Sequence, residues 1–137
     1  KFYFAGKPIH FSGTQNDKNF RLFRRSKCRY VADKKVHETL IVKGTTGILK
    51  NKLLHYSFDN FEQFKKKMLY YGLLKGSELA DKGKKYSIIT HWSKVAFKFV
   101  KTYFLKLGFL DGFDGLKISY LQSLYVNETY RKLKNSK

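Results

Sequence analysis

Hydrophobic and polar positions change rhythm near residue 58. Before it, apolar residues come in short alternating or β-branched runs; after it they recur at helical spacing. Phe2-Tyr3-Phe4 reads as a short aromatic strand, and Gly6-Lys7-Pro8 as the turn behind it. Residues 11–19 are polar and turn-rich. Residues 20–25 alternate partly between apolar and basic side chains, as in a strand with one solvated face. Residues 36–42, Val-His-Glu-Thr-Leu-Ile-Val, form the strongest strand pattern. Gly44 to Gly47 breaks it, and residues 48–56 are expected to return as the second arm of a hairpin.

Beyond residue 58 the period is helical. Asp59, three residues ahead of Glu62, suggests a capped start to a helix over 61–74, with Gly76 and Gly83 interrupting or ending it. A second helix is expected over 90–107. Its apolar stripe contains Trp92, Val95, Ala96, Phe99, Tyr103 and Leu107, with Lys94, Lys98 and Lys101 on another face. Residues 108–115 read as a hinge-like loop holding Asp111 and Asp114. A final helix over 116–133 carries Leu121, Leu124 and Tyr125. Strands followed by helices make an α+β chain: short N-terminal strands or a hairpin, then about three α-helices. The division falls into a β-rich part, 1–58, and a helical part, 59–137, within one compact unit.

Composition sharpens this picture in two ways. Of 137 residues, 42% are hydrophobic and 18% aromatic, enough ring area to build a core and exclude a disordered chain. Lys and Arg total 29 against 10 Asp and Glu, a formal charge of +19. Such a field attracts polyanions (nucleic acid, anionic headgroups or phosphorylated small molecules) without choosing among them, and lysine-rich composition from an AT-rich genome would look the same. The single Cys28 excludes an internal disulfide and a cysteine-built zinc site, which fits a reducing, cytoplasmic setting. No apolar run is long enough to span a bilayer. The sequence opens on Lys1-Phe2-Tyr3-Phe4 without a methionine, as a strand under way, and reads as a piece of a longer protein.

Few residues carry chemistry by pattern alone. His37-Glu38 sits inside the strongest strand, where neighbours point to opposite faces, so one of the two would face a given cleft. A carboxylate there can deprotonate a hydroxyl nucleophile; taken alone, the pair reads first as a surface ion pair among lysines. His55 is a strand-terminal imidazole suited either to a structural hydrogen bond or to completing a metal shell of oxygens, with no second ligand at suitable spacing. Arg21, Arg24 and Arg25 are phosphate-binding candidates; on a strand Arg21 and Arg25 share one face and Arg24 takes the other. Asp111-Gly112 and Asp114-Gly115 lack the ligand ladder of a calcium loop and read as turns. Phosphate-loop and dinucleotide fingerprints are absent.

In order along the chain stand Arg21-Leu22-Phe23-Arg24-Arg25, Val36-His37-Glu38, Gly44 to Gly47, Leu53-Leu54-His55-Tyr56-Ser57, and the run from Tyr103 to Gly112 (Tyr-Phe-Leu-Lys-Leu-Gly-Phe-Leu-Asp-Gly). This series resembles the C-terminal half of bacterial family 2 glycosyltransferases, in particular those related to lipopolysaccharide core glucosyltransferases, over almost the whole chain. The resemblance implies a GT-A fold and an inverting enzyme that moves a sugar from a nucleotide-sugar donor to a glycan or lipid-linked acceptor. Glu38 is then the candidate base, His37 its neighbour and His55 a late histidine near a divalent metal, Mg or Mn. Arg21, Arg24 and Arg25 become acceptor or phosphate contacts. No Asp-x-Asp and no nucleotide-binding βα unit occur here, so the metal's carboxylates and the donor site are expected upstream of Lys1, and these residues alone are expected to be inactive. The resemblance places the protein in the cytoplasm, with its basic helices suited to the anionic inner face of the membrane. The rival readings are a non-catalytic membrane-surface domain and a nucleic-acid-binding module, the latter weakened because most rings fall at core-like periodic positions.

Overall fold

The computed structural model describes residues 2–14, 20–30, 40–49, 51 and 54–136. It is an α+β arrangement of short strands followed by three helices: β1 (Phe2–Phe4), β2 (Lys7–Ile9), β3 (Cys28–Tyr30), β4 (Leu40–Val42), β5 (His55–Phe58), α1 (Phe61–Asp81), α2 (Ile88–Val100) and α3 (Gly112–Lys134). A π turn, Lys101–Leu105, and a 3-10 turn, Gly108–Asp111, join α2 to α3.

Two small sheets result. In the first the order is β2-β1-β5, with β1 antiparallel to β2 (Phe2 opposite Ile9) and parallel to β5 (Phe2 beside His55). In the second, β3 and β4 are antiparallel, with Cys28 opposite Val42 and Tyr30 opposite Leu40. The expected hairpin partner for residues 36–42 is thus corrected. Among the described residues the segment before β5 makes no ladder with β4; β4 pairs backwards with β3, and β5 joins the N-terminal hairpin. Residues 20–24 form no strand, and 25–27 make a 3-10 turn. All of these residues are exposed, so no buried face exists for alternation to serve.

The core lies where α1 and α3 cover the first sheet: Phe4, Ile9, Phe64, Met68, Ile118 and Leu121. Phe58 stacks on Phe64 with ring centroids 4.0 Å apart. Each such side chain contributes about 1.5–3 kcal/mol on burial. Asn60, not Asp59, is the N-cap of α1. Its Oδ1 accepts from the Gln63 amide at 2.9 Å, while Gln63 Oε1 accepts from the Asp59 amide at 3.1 Å, a reciprocal cap one residue later than the pattern suggests. The helix runs straight through Gly76. Gly72 and Gly76 lie against the Tyr125 and Thr129 carbonyls of α3, where a Cβ would approach within 2.8 and 2.6 Å. Gly83, at φ +67°, ends the helix as expected.

The expected loop at 108–115 is largely helical. Gly108 and Gly115 touch backbone to backbone at this corner, leaving no room for a Cβ on Gly115. Asp111 then reaches the N-terminal hairpin: its carboxylate accepts from the amides of His10 (2.9 Å) and Phe11 (3.0 Å) and from Ser12 Oγ (3.0 Å). The Ser12 amide donates to the Lys106 carbonyl at 3.0 Å. One carboxylate thereby fastens the turn after β2 to the head of α3.

Helix α2 packs on α3, and the expected apolar stripe is covered only in part: Val95, Phe99 and Tyr103 are half-buried, whereas Ala96 and Leu107 are exposed. His91, buried, sits between Trp92 and Tyr130 with nearly parallel rings; its Nε2 lies 3.1 Å from Asn127 Oδ1 and its Nδ1 3.2 Å from Tyr86 Oη. Thr102, also buried, donates to the Lys98 carbonyl. Trp92, on the expected apolar stripe, is 59% exposed.

Candidate functional site

An open groove of about 690 Å³ runs between residues 20–28 and 42–47. The β3–β4 pairing creates it. The Lys43 amide donates to the Lys27 carbonyl at 2.9 Å, and the Lys27 amide to the Arg24 carbonyl at 2.9 Å, so the ladder carries the two segments side by side. Three cations, Arg24, Lys27 and Lys43, line the groove with Thr45, Thr46 and Phe20, and among the described residues no acidic side chain does. Uncompensated cations beside hydroxyls and the amides of a glycine-flanked loop suit a phosphate or another polyoxygen anion.

The sequence-predicted residues distribute unevenly around this groove. Arg24 lines it. Arg21 and Arg25 are exposed outside its lining, and with no strand there the expected sharing of a face between them falls away. His37 and Glu38 lie outside the described residues, within the connection from Tyr30 to Leu40. Lys27 and Lys43 are the contributors that periodicity misses. Solvated lysines follow no repeat, and what brings them together is strand register.

His55 stands apart, on the exposed end of β5. Its Nδ1 meets Ser57 Oγ at 2.6 Å, and its ring lies edge-on to Phe2, with centroids 6.2 Å apart. Among the described residues no group of three or more His, Cys, Asp or Glu side chains is placed to hold a metal ion. A divalent metal therefore finds at most one imidazole here, and the described donor set does not make its site.

Charge is handled differently elsewhere. Glu78, buried in α1, is held at about 2 by hydrogen bonds from Lys82 (2.6 Å) and Lys75 (2.9 Å), which outweigh the upward push of burial. Lys98, half-buried in α2, is pushed below its ordinary value by burial and then by Lys106 and Lys101. The Tyr125 hydroxyl is raised by burial and by the nearby Glu78 charge.

No family profile matches the chain, and no solved structure matches it. Among the described residues no helix is long and apolar enough to cross a membrane.

Proposed function

We propose that this chain is the acceptor-side part of an inverting glycosyltransferase, with Glu38 as the base and the basic groove as the seat of an anionic group on the substrate. One observation supports the reading: the β3–β4 ladder brings Arg24, Lys27 and Lys43 together at a groove bordered by Cys28 and Val42. A sugar or lipid acceptor bearing phosphate would be held there by these three cations.

In the reaction, Glu38 takes the proton of the acceptor hydroxyl as its oxygen forms a bond to the anomeric carbon. The bond from that carbon to the nucleoside diphosphate breaks on the opposite side, and the electron pair leaves with the diphosphate. The donor and the carboxylates that complete its site come from a region outside these residues.

The test is sugar transfer by the full-length protein. Glu38→Ala is expected to lower turnover by about 10²–10⁴-fold with folding unchanged. Arg24→Ala combined with Lys43→Ala should raise KM for a phosphorylated acceptor while sparing turnover at saturation. Transfer by Glu38→Ala at near wild-type rate overturns the assignment of the base.

A further inference from the structure

Helix α2 and the turn after it leave an apolar side uncovered. Residues turn by about 100° each, so His91, Val95, Lys98 and Phe99, continued by Thr102 and Tyr103, share the covered side, and Ile89, Trp92, Ala96 and Val100 share another. The covered side mixes apolar groups with an imidazole, an ammonium and a hydroxyl, all buried or half-buried. The other side, with most of the large apolar groups, meets solvent: Ile89 is 80% exposed, Trp92 59% and Phe97 59%. The exposed apolar surface does not stop with the helix. Phe104, 53% exposed, and Phe109, 43% exposed, both meet the half-buried Tyr103 ring edge-on, and Leu105 and Phe113 are each 70% exposed.

Charge distinguishes the occupants such a surface would accept. Residues 82–110 contain seven lysines and no aspartate or glutamate. Lys84 and Lys85 stand just before α2, Lys94 and Lys101 run along one edge of its apolar face, and the Lys101 ammonium lies 5.7 Å from the Phe97 ring centre. The Lys106 and Lys101 charges both bear on the half-buried Lys98 ammonium. A second copy of the chain would bring the same lysines to the contact, and interfaces between proteins are depleted in lysine. Single-stranded nucleic acid would use rings but gain little from Ile88, Ile89, Val100 and Leu105. A helix with tryptophan, phenylalanine and isoleucine on one side and lysine along its edge matches the boundary between headgroups and acyl chains.

We propose that this face docks the protein on an anionic lipid bilayer: Ile89, Trp92, Phe97 and Phe104 enter the headgroup–acyl boundary, and Lys84, Lys85, Lys94 and Lys101 meet the lipid phosphates. The helix lies in the surface and does not cross it. The inference stands independently of sugar transfer, because it uses none of the groove residues and is read by lipid binding alone.

Co-sedimentation of the chain with phosphatidylcholine vesicles, with and without about one-third phosphatidylglycerol, tests it. Binding is expected to the anionic vesicles, weakening as salt is added. Trp92 is the single tryptophan, so its emission should shift to the blue on binding and report the face itself. Ile89→Ser with Phe97→Ser should weaken binding at least about tenfold at unchanged circular dichroism. Lys94→Gln and Lys101→Gln should each weaken it about fivefold. The proposal is overturned by absence of binding at low salt, by an unmoved Trp92 emission, or by full binding of the serine variant. Serine substitutions that dissolve a dimer, or that abolish oligonucleotide binding without any vesicle binding, would likewise overturn it and assign the face to that other partner.

Discussion

Helices α2 and α3 are both amphipathic, and they solve opposite problems. Helix α3 turns Ile118, Leu121 and Leu133 inward and sets Tyr125, Glu128, Thr129 and Lys132 against Gly72 and Gly76 of α1. Helix α2 turns His91 inward, as the π turn after it does Thr102, and leaves Ile89 and Trp92 outside. The difference shows that a hydrophobic stripe identifies a helix and its two sides but does not say which side is the interior. What decides the inward side of α2 is hydrogen bonding. Tyr86 and Asn127 offer partners to both His91 nitrogens and Tyr130 offers a ring, so burying the imidazole leaves no polar atom unsatisfied. The apolar side can then remain outside without costing the core anything.

The largest expected effect tests that contrast directly. Leu121 is fully buried. Leu121→Ala should cost about 2–5 kcal/mol, measured by urea or thermal unfolding of the chain. Ile89→Ser on the outward face of α2 should stay within about 0.5 kcal/mol, because the side chain it removes touches mainly solvent. Comparable losses at the two positions would mean that the apolar face of α2 is covered by protein.

The two halves were not equally legible in the sequence. Long helices with strong periods were clear because one side of each must contact another element along its whole length; the helix expected over 61–74 is present and runs on to Asp81, its cap and its passage through Gly76 having been misread. Gly76 looks like a break in one dimension and is a close approach in three, since it makes room for the Thr129 carbonyl of a helix more than fifty residues later. The N-terminal strands are three or four residues each, too short for alternation to reveal partners, so the pairing of β5 with β1 and of β4 with β3 could not be read locally. The groove had one legible member, Arg24. Lys27 and Lys43 enter through register, and the anchoring role of Asp111 was hidden behind the ordinary turn-forming chemistry of Asp-Gly. The resemblance that named Glu38 and His37 rests on order along the chain, and those two positions lie outside the described residues.

An intermediate effect sharpens the α1–α3 side of the comparison. Gly76→Ala adds a Cβ that would meet the Thr129 carbonyl and Lys132 Cβ, both at 2.6 Å. Alanine favours the helix by about 1 kcal/mol, but forcing the helices apart costs about 1–3 kcal/mol, and a backbone carbonyl cannot swing aside as a side chain can. The net expectation is a loss of about 1–2 kcal/mol in chemical unfolding. Stabilisation by Gly76→Ala would show that the α1–α3 seam is looser than its geometry.

The smallest expected effect concerns how the two helical regions hold buried charge. Glu78 in α1 has two opposite charges at hydrogen-bond distance; half-buried Lys98 is pressed by like charges from Lys106 and Lys101. The lysines beside Glu78 are themselves partly in solvent, so screening limits their contribution to about 1 kcal/mol. Its sign with pH follows from the carboxyl being held below its ordinary 4.5, at about 2. The folded state keeps the carboxylate ionised where the unfolded chain has begun to bind a proton. The stabilisation is therefore full above 4.5 and drains away as pH falls toward about 2. Thermal unfolding followed through that window should show the loss in the native chain and a smaller one in Glu78→Gln, which leaves Lys75 and Lys82 without their anion at every pH. Raising ionic strength should shrink the difference between the two, since the lysines that hold the carboxylate face water. Parallel pH profiles for the two proteins would mean that the Glu78 pairs contribute nothing to holding α1 in place, and that the seam with α3 rests on its packing alone.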